Sequence, residues 1–397
     1  MRILALFLIA FIFLPFLTGC WNRRELNELA LVVGMSIDKS GDKYLISTQV
    51  VDPGEVSISA RAGGRAPVTT YDEKGKHLFE AIRRMTTSSP RKLYFSHLQM
   101  LVISEKVAKD GLNNILDFFS RDNEFRKDFY IVVTKDIEAK EILRNLTSIE
   151  KIPAHKMRSS LETSEKAWAP TIAIQLDELL SSLTSEGINP VLTGISIHGN
   201  APKGGSVENV QRIEPFARLK YQNIAVFKKD KLIGWLNEKE SKGYNYIRNN
   251  VHSTVGHIPC VKKGELIMEV IRSKTKVKGR VVNGKPKIEI INNMESNIGE
   301  VACHIDLTNP ETIKNLEKNN DKVNVDIIET AIRKAKRLGV DIFGFGEVIH
   351  RADPKAWKHL KTNWDQEFVN VPVTIHSNVK IRRTGSVNQS FLQLEKE

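Results

Sequence analysis

The stretch that decides the fold reads ELIMEVIRSKTKVKGRVVNGKPKIEIINN and covers residues 265–293. Apolar and β-branched residues recur along it, and the pair Asn283-Gly284 lies between two such runs. An Asn-Gly pair in this position favours the tight two-residue turn of a β-hairpin. We therefore predict a run of strands over residues 265–273, 275–282, 287–293 and 300–306.

A helical pattern follows these strands. Residues 308–338 carry apolar side chains at helical spacing, which predicts a long helix with one apolar stripe formed by Ile327, Ile328, Ala331, Ile332, Ala335 and Leu338. Shorter helices are predicted over 342–349 and 354–364, and a last strand over 371–382. An antiparallel sheet faced by helices is the expected result, giving an α+β C-terminal domain over residues 222–385.

The N-terminal half has a different pattern, in which strands and helices alternate. Strands are predicted over 30–37, 44–51, 92–103, 129–134 and 191–198, and helices over 76–87, 104–119, 136–146 and, interrupted at Ala169-Pro170, 156–183. Such interleaving indicates a mixed sheet in a mixed α/β region over residues 20–198, which leaves one domain or two open. The Gly-, Pro-, Lys- and Ser-rich start of segment 199–221 is typical of a linker, and residues 386–397 form a tail.

The first twenty residues predict export and lipid attachment. Met1-Arg2 starts the chain with a positive charge, an apolar run covers residues 3–16, and Leu17-Thr18-Gly19-Cys20 follows. This is the order of a secretory signal, and the small Thr18 and Gly19 leave the backbone accessible to a peptidase that cuts before Cys20. The pattern resembles a bacterial lipobox, with residues 1–19 as the signal peptide and Cys20 as the lipid attachment site.

The alternative is an uncleaved membrane anchor with an incidental cysteine. The apolar run is shorter than the roughly 20 residues that a helix needs to span a bilayer, which favours cleavage. Two acyl chains on Cys20 would satisfy the two-signal requirement for stable anchoring. We therefore expect a protein anchored by lipid on the outer face of the cell membrane.

The composition is that of a basic globular protein. The formal net charge is +12 and 41% of the residues are hydrophobic. Basic clusters lie at residues 228–231, 272–280 and 333–337 and are most simply solvated surface. The excess charge also suits an anionic lipid surface or an acidic polymer of the cell envelope. Nucleic acid is not an expected partner, because export takes the chain to the wrong compartment.

Three common motifs of catalysis and phosphate or metal binding are absent from the sequence. The chain contains no Gly-x-Ser-x-Gly, no phosphate-binding Gly-x-x-x-x-Gly-Lys and no His-Glu-x-x-His motif, so we predict no catalytic residue and no cofactor. The sulfur and imidazole groups that deserve weighing as zinc ligands are His252, His257, Cys260, Cys303 and His304. Adjacent side chains on a strand point to opposite faces, which argues against a metal site. A Cys260–Cys303 disulfide stays open, since the sequence does not give their separation.

Two features near the C-terminal end of the sequence are better explained by packing than by ligand binding. The glycines of residues 343–347 lack dinucleotide-binding spacing and indicate a close approach of the backbone to a neighbouring element. Trp357 and Trp364 are seven residues apart in the predicted helix 354–364, which places both on one helix face. Core or interface packing is then a better explanation than a ligand cage.

Several segments spread along the chain follow the pattern of one known family. They are Cys20–Ala30, Ser89–His97, Ser120–Asp122, Ala335–Arg337, Asp341–Glu347, Pro354–Trp357, Asn363–Asp365 and Lys380–Gly385. Together they resemble the C subunits of spore germinant receptors, the Ger(x)C lipoproteins. Asn22 stands where that family commonly has aspartate.

The resemblance implies a non-enzymatic, lipid-anchored subunit of a nutrient receptor that triggers germination in endospore-forming bacteria. It implies two integral-membrane partners, the A-type and B-type subunits, a location at the spore inner membrane, and a fold of three mixed α/β domains. A ligand-binding site is not implied for this subunit. Two other classes stay open at this point: a solute-binding lipoprotein of an importer, which should show two wound α/β lobes, and an envelope hydrolase.

Overall fold

The computed structural model describes residue 25 and residues 28–56, 65–260 and 264–385. These residues form two sheets with helices packed against them. The mixed α/β architecture, with the α+β class for the chain as a whole, confirms the predicted fold class.

The first sheet is mixed. Its strands are β1 (Leu29–Ser40), β2 (Lys43–Val51), β3 (Val68–Gly75), β4 (Lys92–Tyr94), β5 (Met100–Ile103), β6 (Tyr130–Thr134), β7 (Val191–Gly199), β8 (Ala217–Lys228) and β9 (Lys231–Leu236). Their order is β3-β2-β1-β5-β6-β7-β8-β9, with β4 beside the start of β1. Strands β1, β5, β6 and β7 are parallel neighbours, whereas β2, β3, β8 and β9 join as antiparallel hairpin strands at the two sides.

Helices cover both faces of this sheet. They are α1 (Pro53–Val56), α2 (Leu78–Arg84), α3 (Glu105–Asp110), α4 (Asn113–Arg121), α5 (Ala139–Arg144), α6 (Pro153–Ala167), α7 (Leu176–Thr184) and α8 (Ala201–Gly204). In β5, Leu101 and Ile103 enter one hydrophobic core, while Met100 and Val102 enter the other. A parallel strand that is buried on both faces needs such an uninterrupted apolar run.

Two predicted elements of this half are divided in the structure. The strand predicted over 92–103 becomes β4 and β5, because a turn in which the Leu98 N–H donates to the Phe95 carbonyl separates them. The helix predicted over 104–119 becomes α3 and α4. Gly111 interrupts it with a φ of 126°, and a Cβ there would lie 2.6 Å from a carboxylate oxygen of Asp230.

Segment 199–221 connects two neighbouring strands of the first sheet. It contains α8 and a 3₁₀ turn at Val207–Asn209, and β8 begins within it. Strands β7 and β8 pair antiparallel from Val191–Val226 to Gly199–Ala217. Residues 217–236 therefore belong to the first sheet, and most of them lie in the segment that we predict as part of the C-terminal domain. A connection between two strands and a linker between two domains can share the same Gly-, Pro- and Ser-rich composition. The division of the chain into two domains therefore stays a proposal.

The second sheet contains β10 (Thr254–Pro259), β11 (Glu265–Val282), β12 (Lys285–Val301) and β13 (Val373–Arg383), in that order. The hairpin predicted at Asn283-Gly284 is confirmed, with φ values of 51° and 75° at the two turn residues. The segments predicted over 265–273 and 275–282 form one strand, β11, because its pairing with β12 continues past bulges near Met268 and Ile271. The segment predicted over 287–293 is part of β12, which continues to Val301. The strand predicted over 300–306 is wrong beyond Val301, because β11 begins at Glu265 and offers no further partner to the residues that follow.

The last strand departs from the antiparallel prediction. β13 runs parallel to β12, because the chain reaches it through a crossover of helices instead of a hairpin. These helices, with one that precedes the sheet, are α9 (Glu238–Ile247), α10 (Pro310–Leu338), α11 (Phe345–Ala352), α12 (Pro354–Leu360) and α13 (Trp364–Asn370). The free edge of β13 is covered by α10, where Asp321 accepts from the Val379 N–H and Glu317 from the Ile381 N–H.

The helical predictions need two corrections. The helix predicted over 342–349 begins at Phe345, because Gly344 before it has a φ of 78°, which ends any helical continuity from Ile342. The helix predicted over 354–364 is α12, a 3₁₀ turn and then α13, so Trp357 and Trp364 lie on different helices. The helix over 308–338 is confirmed as α10, which is closed by Gly339 in the left-handed conformation.

Candidate functional site

Asp341 organises the loop between α10 and α11, residues 341–344, which we call the Asp341 loop. Its side chain is fully buried. One carboxylate oxygen accepts from the backbone N–H groups of Phe343 and Gly344, both at 3.0 Å. The other accepts from the Gly346 N–H at 2.8 Å and from the Trp364 indole Nε1 at 3.0 Å. One acid therefore fixes the loop, the start of α11 and the start of α13.

Burial controls the protonation of this acid. Removal from water raises the pKa of Asp341 to about 6, although the hydrogen bonds from Gly346, Trp364 and the loop backbone act in the opposite direction. All four groups that donate hydrogen bonds to the Asp341 carboxylate belong to the protein itself. Asp341 is therefore a structural acceptor.

Two glycines let the start of α11 touch the N-terminal half of the chain. A Cβ on Gly346 would lie 2.7 Å from the Gly187 Cα, 2.7 Å from Trp357 and 2.8 Å from Trp364 Nε1. A Cβ on Gly187 would lie 2.5 Å from the backbone nitrogen of Glu347. The expected close backbone approach is confirmed at Gly346, and its partner is the segment after α7.

Polar contacts surround this glycine contact. The Asn189 N–H donates to the Asp341 carbonyl at 2.6 Å, and the Ser185 hydroxyl donates to Glu347 at 2.8 Å. Arg248, just after α9, donates to the Phe343 carbonyl at 3.0 Å. We call residues 185–190 together with residues 341–347 the junction, because they join the first sheet to the helices of the second.

The two tryptophans form the wall of the junction. Trp357 and Trp364 are each only 3% exposed, and their ring centroids are 5.2 Å apart in an edge-to-face arrangement. His350 stacks on Trp357 with a centroid distance of 5.8 Å. The interpretation as packing residues, made from their spacing, agrees with this burial. Their edge-to-face contact depends on α12 and α13 folding back on each other.

A cleft with a volume of about 620 Å³ opens beside the junction. Its lining includes the carboxylates of Glu165, Glu178 and Glu347, the Tyr244 ring and the Arg248 guanidinium. Burial raises the pKa of Glu165, while the Ala173 N–H that donates to it acts against this. The cleft is large enough for a small polar solute, and its carboxylates would favour one that carries a positive charge.

The structure places only some of the residues that the sequence singled out, and it does not bring them together in one site. Leu17, Thr18, Gly19 and Cys20 lie outside the described residues. Cys260 and Cys303 form a disulfide with their Cα atoms 6.6 Å apart, so neither thiol is available to a metal. His257 contacts Glu265 at 3.3 Å. The described residues contain no group of three or more His, Cys, Asp or Glu placed to hold a metal ion.

None of the helices described above combines the length and the apolar composition that crossing a bilayer requires.

Sequence reasoning missed Asp341 and the Gly187 side of the junction. The role of the Asp341 carboxylate could not be predicted because most of its donors are backbone N–H groups, which are present in almost every residue type. The one signal available was an aspartate two residues before an alternating Phe-Gly-Phe-Gly run, a pattern that suits a side chain accepting from the backbone that follows.

Asp341→Ala should lower the free energy of unfolding by about 2–4 kcal/mol at pH 8, because four buried donors lose their acceptor while a costly buried charge is also removed. The raised pKa means that between about pH 4 and pH 6 the folded protein holds a proton that the unfolded chain has released. The stability that Asp341 contributes therefore falls as pH rises through this window. Urea unfolding should show a larger wild-type-to-variant difference at pH 5 than at pH 8.

Asp306→Ala is the control for this pH dependence. Asp306 is exposed, and the hydrogen bond from the Thr308 hydroxyl lowers its pKa, so its carboxylate is charged at both pH 5 and pH 8. Its effect on stability should be the same at pH 5 and pH 8. A difference for Asp341→Ala that widened with rising pH would contradict the assigned protonation of Asp341.

Comparison with known proteins covers nearly the whole chain. Residues 22–197 match the family model described as the spore germination protein N-terminal domain, and residues 222–385 match the model described as spore germination B3/GerAC like, C-terminal. Spore germination protein KC of Bacillus subtilis (strain 168) is 33% identical over 96% of this chain and 95% of that protein. Spore germination protein A3 of the same organism is 26% identical over 97% of this chain and 98% of that protein.

A solved structure shows the same fold. The crystal structure of the GerBC protein superimposes with a TM-score of 0.53 at 18% sequence identity, covering 88% of this chain and 96% of that one. The sequence matches span both halves of the chain, and the identity to protein KC extends from one end to the other. The chain therefore belongs to the spore germination B3/GerAC-like family.

Proposed function

We propose that this chain is the lipid-anchored, non-enzymatic C-type subunit of a nutrient receptor that triggers spore germination together with A-type and B-type integral-membrane subunits. The observation that carries the proposal is the 33% identity to spore germination protein KC over 96% of the chain. The resemblance of residues Cys20–Ala30 and Asp341–Glu347 to Ger(x)C lipoproteins supports the same role.

The geometry of the junction fits a signalling subunit with a fixed shape. The Asp341 carboxylate, whose pKa burial raises to about 6, uses its hydrogen bonds to hold the loop, α11 and α13 together. The packed glycines and the buried tryptophans join the two sheets through direct contacts. These contacts tie the positions of the two sheets to each other, which would suit a subunit that works within a larger receptor assembly.

Lipid attachment at Cys20 is the proposed route to the membrane. The Cys20 thiolate would displace the headgroup phosphate of a phospholipid donor and form a thioether to its diacylglyceryl group, which brings two acyl chains. A peptidase would then hydrolyse the Gly19–Cys20 peptide bond and release the signal peptide. Two chains make membrane binding stable, whereas one chain is marginal. The Cys260–Cys303 disulfide supports an exported location, because such bonds persist in oxidising compartments.

A solute-binding lipoprotein of an importer is a second candidate, which the junction cleft favours. Against it stand the mixed first sheet and the long β11–β12 hairpin, where two wound lobes would be expected. A thermal-shift screen with amino acids and sugars distinguishes the two. An importer component should gain about 2.7 kcal/mol of stability at a ligand concentration one hundred times its Kd. No shift with any of them favours the receptor subunit.

Cys20→Ala should remove the protein from the membrane fraction and slow nutrient-triggered germination, because neither acyl chain can be attached in its usual place. Fractionation of sporulating cells and the loss of spore refractility after nutrient addition measure the two effects. The matched control is the double variant Cys260→Ala/Cys303→Ala, which removes the other two cysteines and leaves the lipobox intact. It should stay in the membrane fraction. Unchanged fractionation of Cys20→Ala would contradict lipid anchoring.

A further inference from the structure

A row of basic side chains lies along one face of β11. Arg272, Lys274, Lys276, Lys278 and Arg280 are all exposed, while the residues between them are partly buried. Side chains on a strand alternate between the two faces, so all five project from the same face of the second sheet. At about 6.6 Å between successive members, the row is about 26 Å long.

The neighbouring strand β12 places few carboxylates beside this basic row. In register with it on β12 are Lys287 opposite Arg280, Glu289 opposite Lys278, Ile291 opposite Lys276, Asn293 opposite Lys274 and Glu295 opposite Arg272. Glu295 pairs with Arg382 of β13 at 2.7 Å, and Glu289 contacts Lys278 at 3.5 Å. At these positions, with Arg382 included, two carboxylates face seven basic side chains, and this face keeps a net positive charge. Lys380, opposite Glu295 on β13, is paired with Glu317 of α10.

The opposite face of the same strands is the packed one. Val277 and Val281 of β11, with Ile288 and Ile290 of β12, lie against the core formed with α10 and α11. A Cβ on Gly279 would lie 2.8 Å from Ile349 of α11. The helices thus cover one side of the hairpin, and the basic row lies on the other side.

We propose that this basic face, defined by the five residues of the row with Lys287 and Arg382, rests on a bilayer whose lipids carry anionic headgroups. Charge complementarity carries the proposal: several lysines and arginines on one surface are attracted to anionic lipid. Lipid headgroups diffuse laterally, so anionic headgroups can gather beneath the basic side chains of a row about 26 Å long. The face of a β-sheet can also place several of its charges against a flat membrane surface at once.

Apolar side chains near the ends of the row favour lipid over a soluble polyanion. Ile271 and Val282 are 41% and 39% exposed, one at the bulge before Arg272 and one two residues after Arg280. Apolar groups beside basic ones suit the boundary between headgroups and acyl chains. The contact is independent of the proposed receptor role, and it would fix which side of the protein faces the membrane when Cys20 is anchored.

Vesicle sedimentation tests the contact on the exported chain, residues 20–397, carrying Cys20→Ala so that no acyl chain contributes. The protein should bind vesicles with 30% phosphatidylglycerol, should not bind phosphatidylcholine vesicles, and should be released as NaCl rises. The triple variant Lys274→Thr/Lys276→Thr/Lys278→Thr should lose about fivefold in partition coefficient for each charge removed at low salt. Threonine suits an exposed strand position, and a thermal melt verifies the fold.

The matched control is Lys314→Gln/Lys318→Gln/Lys322→Gln, which removes three charges from the exposed side of α10, the helix that packs on the other face of the sheet. It should bind nearly as well as the parent. An equal loss in both triple variants would show attraction to net charge alone and would overturn the proposal. Failure of the parent to bind anionic vesicles, or tighter binding to heparin than to vesicles, would overturn it as well.

Discussion

Replacing Gly346 with alanine is expected to lower the free energy of unfolding by about 3 kcal/mol or more, which is the upper range for overpacking a core. Alanine is the better residue in a helix by about 1 kcal/mol, so propensity alone predicts the opposite sign. The added methyl, however, would lie less than 3 Å from the Gly187 backbone and from both tryptophans. None of these neighbours is the end of a flexible side chain.

Denaturant unfolding of Gly346→Ala measures this effect, with Gly256→Ala as the matched control. Gly256 lies in β10, and a Cβ there would meet nothing within 4 Å. The control should change stability by less than about 0.5 kcal/mol. If Gly346→Ala changed the free energy of unfolding as little as Gly256→Ala, the tight contact between the start of α11 and residues 185–190 would be contradicted.

Trp364→Ala should cost about 3–5 kcal/mol, because a buried indole leaves a cavity and Asp341 loses one of its four donors. Trp364→Phe keeps most of the ring but not the N–H, and should cost about 1–2 kcal/mol. Trp357→Ala should fall in the range of Trp364→Ala through packing alone.

Trp168→Ala is the control for these tryptophan variants. Trp168 is 40% exposed, and its ring contacts the Lys242 ammonium at 4.0 Å, a surface interaction of about 0.5–1 kcal/mol. Chemical denaturation followed by far-UV circular dichroism compares all four variants on one scale. A loss for Trp364→Ala no larger than that for Trp168→Ala would mean that Trp364 does not support the junction.

Local chemistry made part of the fold predictable. Asn283-Gly284 encodes its turn in two residues, and the stripe from Ile327 to Leu338 encodes the buried face of α10 in its own spacing. Gly339 then ends that helix with a conformation that glycine adopts at little cost. Where the determinant lies within a few residues, the sequence was sufficient.

Long-range partners explain where prediction failed. Nothing near β13 indicates that it pairs parallel with β12, because the pairing depends on a crossover of more than sixty residues between β12 and β13. The composition of segment 199–221 does not reveal that the strands on its two sides, β7 and β8, pair with each other. The break at Gly111 depends on Asp230, which is distant in the sequence.

The junction was the least predictable part. Asp341 looks like an ordinary polar residue until Gly346 and Trp364 are brought to it by the helices between them. Gly187 lies in a short loop after α7, and only its contact with the Gly346 backbone gives it a role. The lipid attachment predicted for Cys20 rests on the sequence pattern, and it remains a prediction.

Affinity purification of the tagged chain from detergent-solubilised spore membranes, followed by mass spectrometry of everything retained, tests the receptor-subunit role most directly. We expect two multi-spanning membrane proteins in a constant ratio to the chain, both absent when an untagged strain is processed in parallel. Recovery of the chain alone, or with the membrane components of a solute importer, would contradict the account.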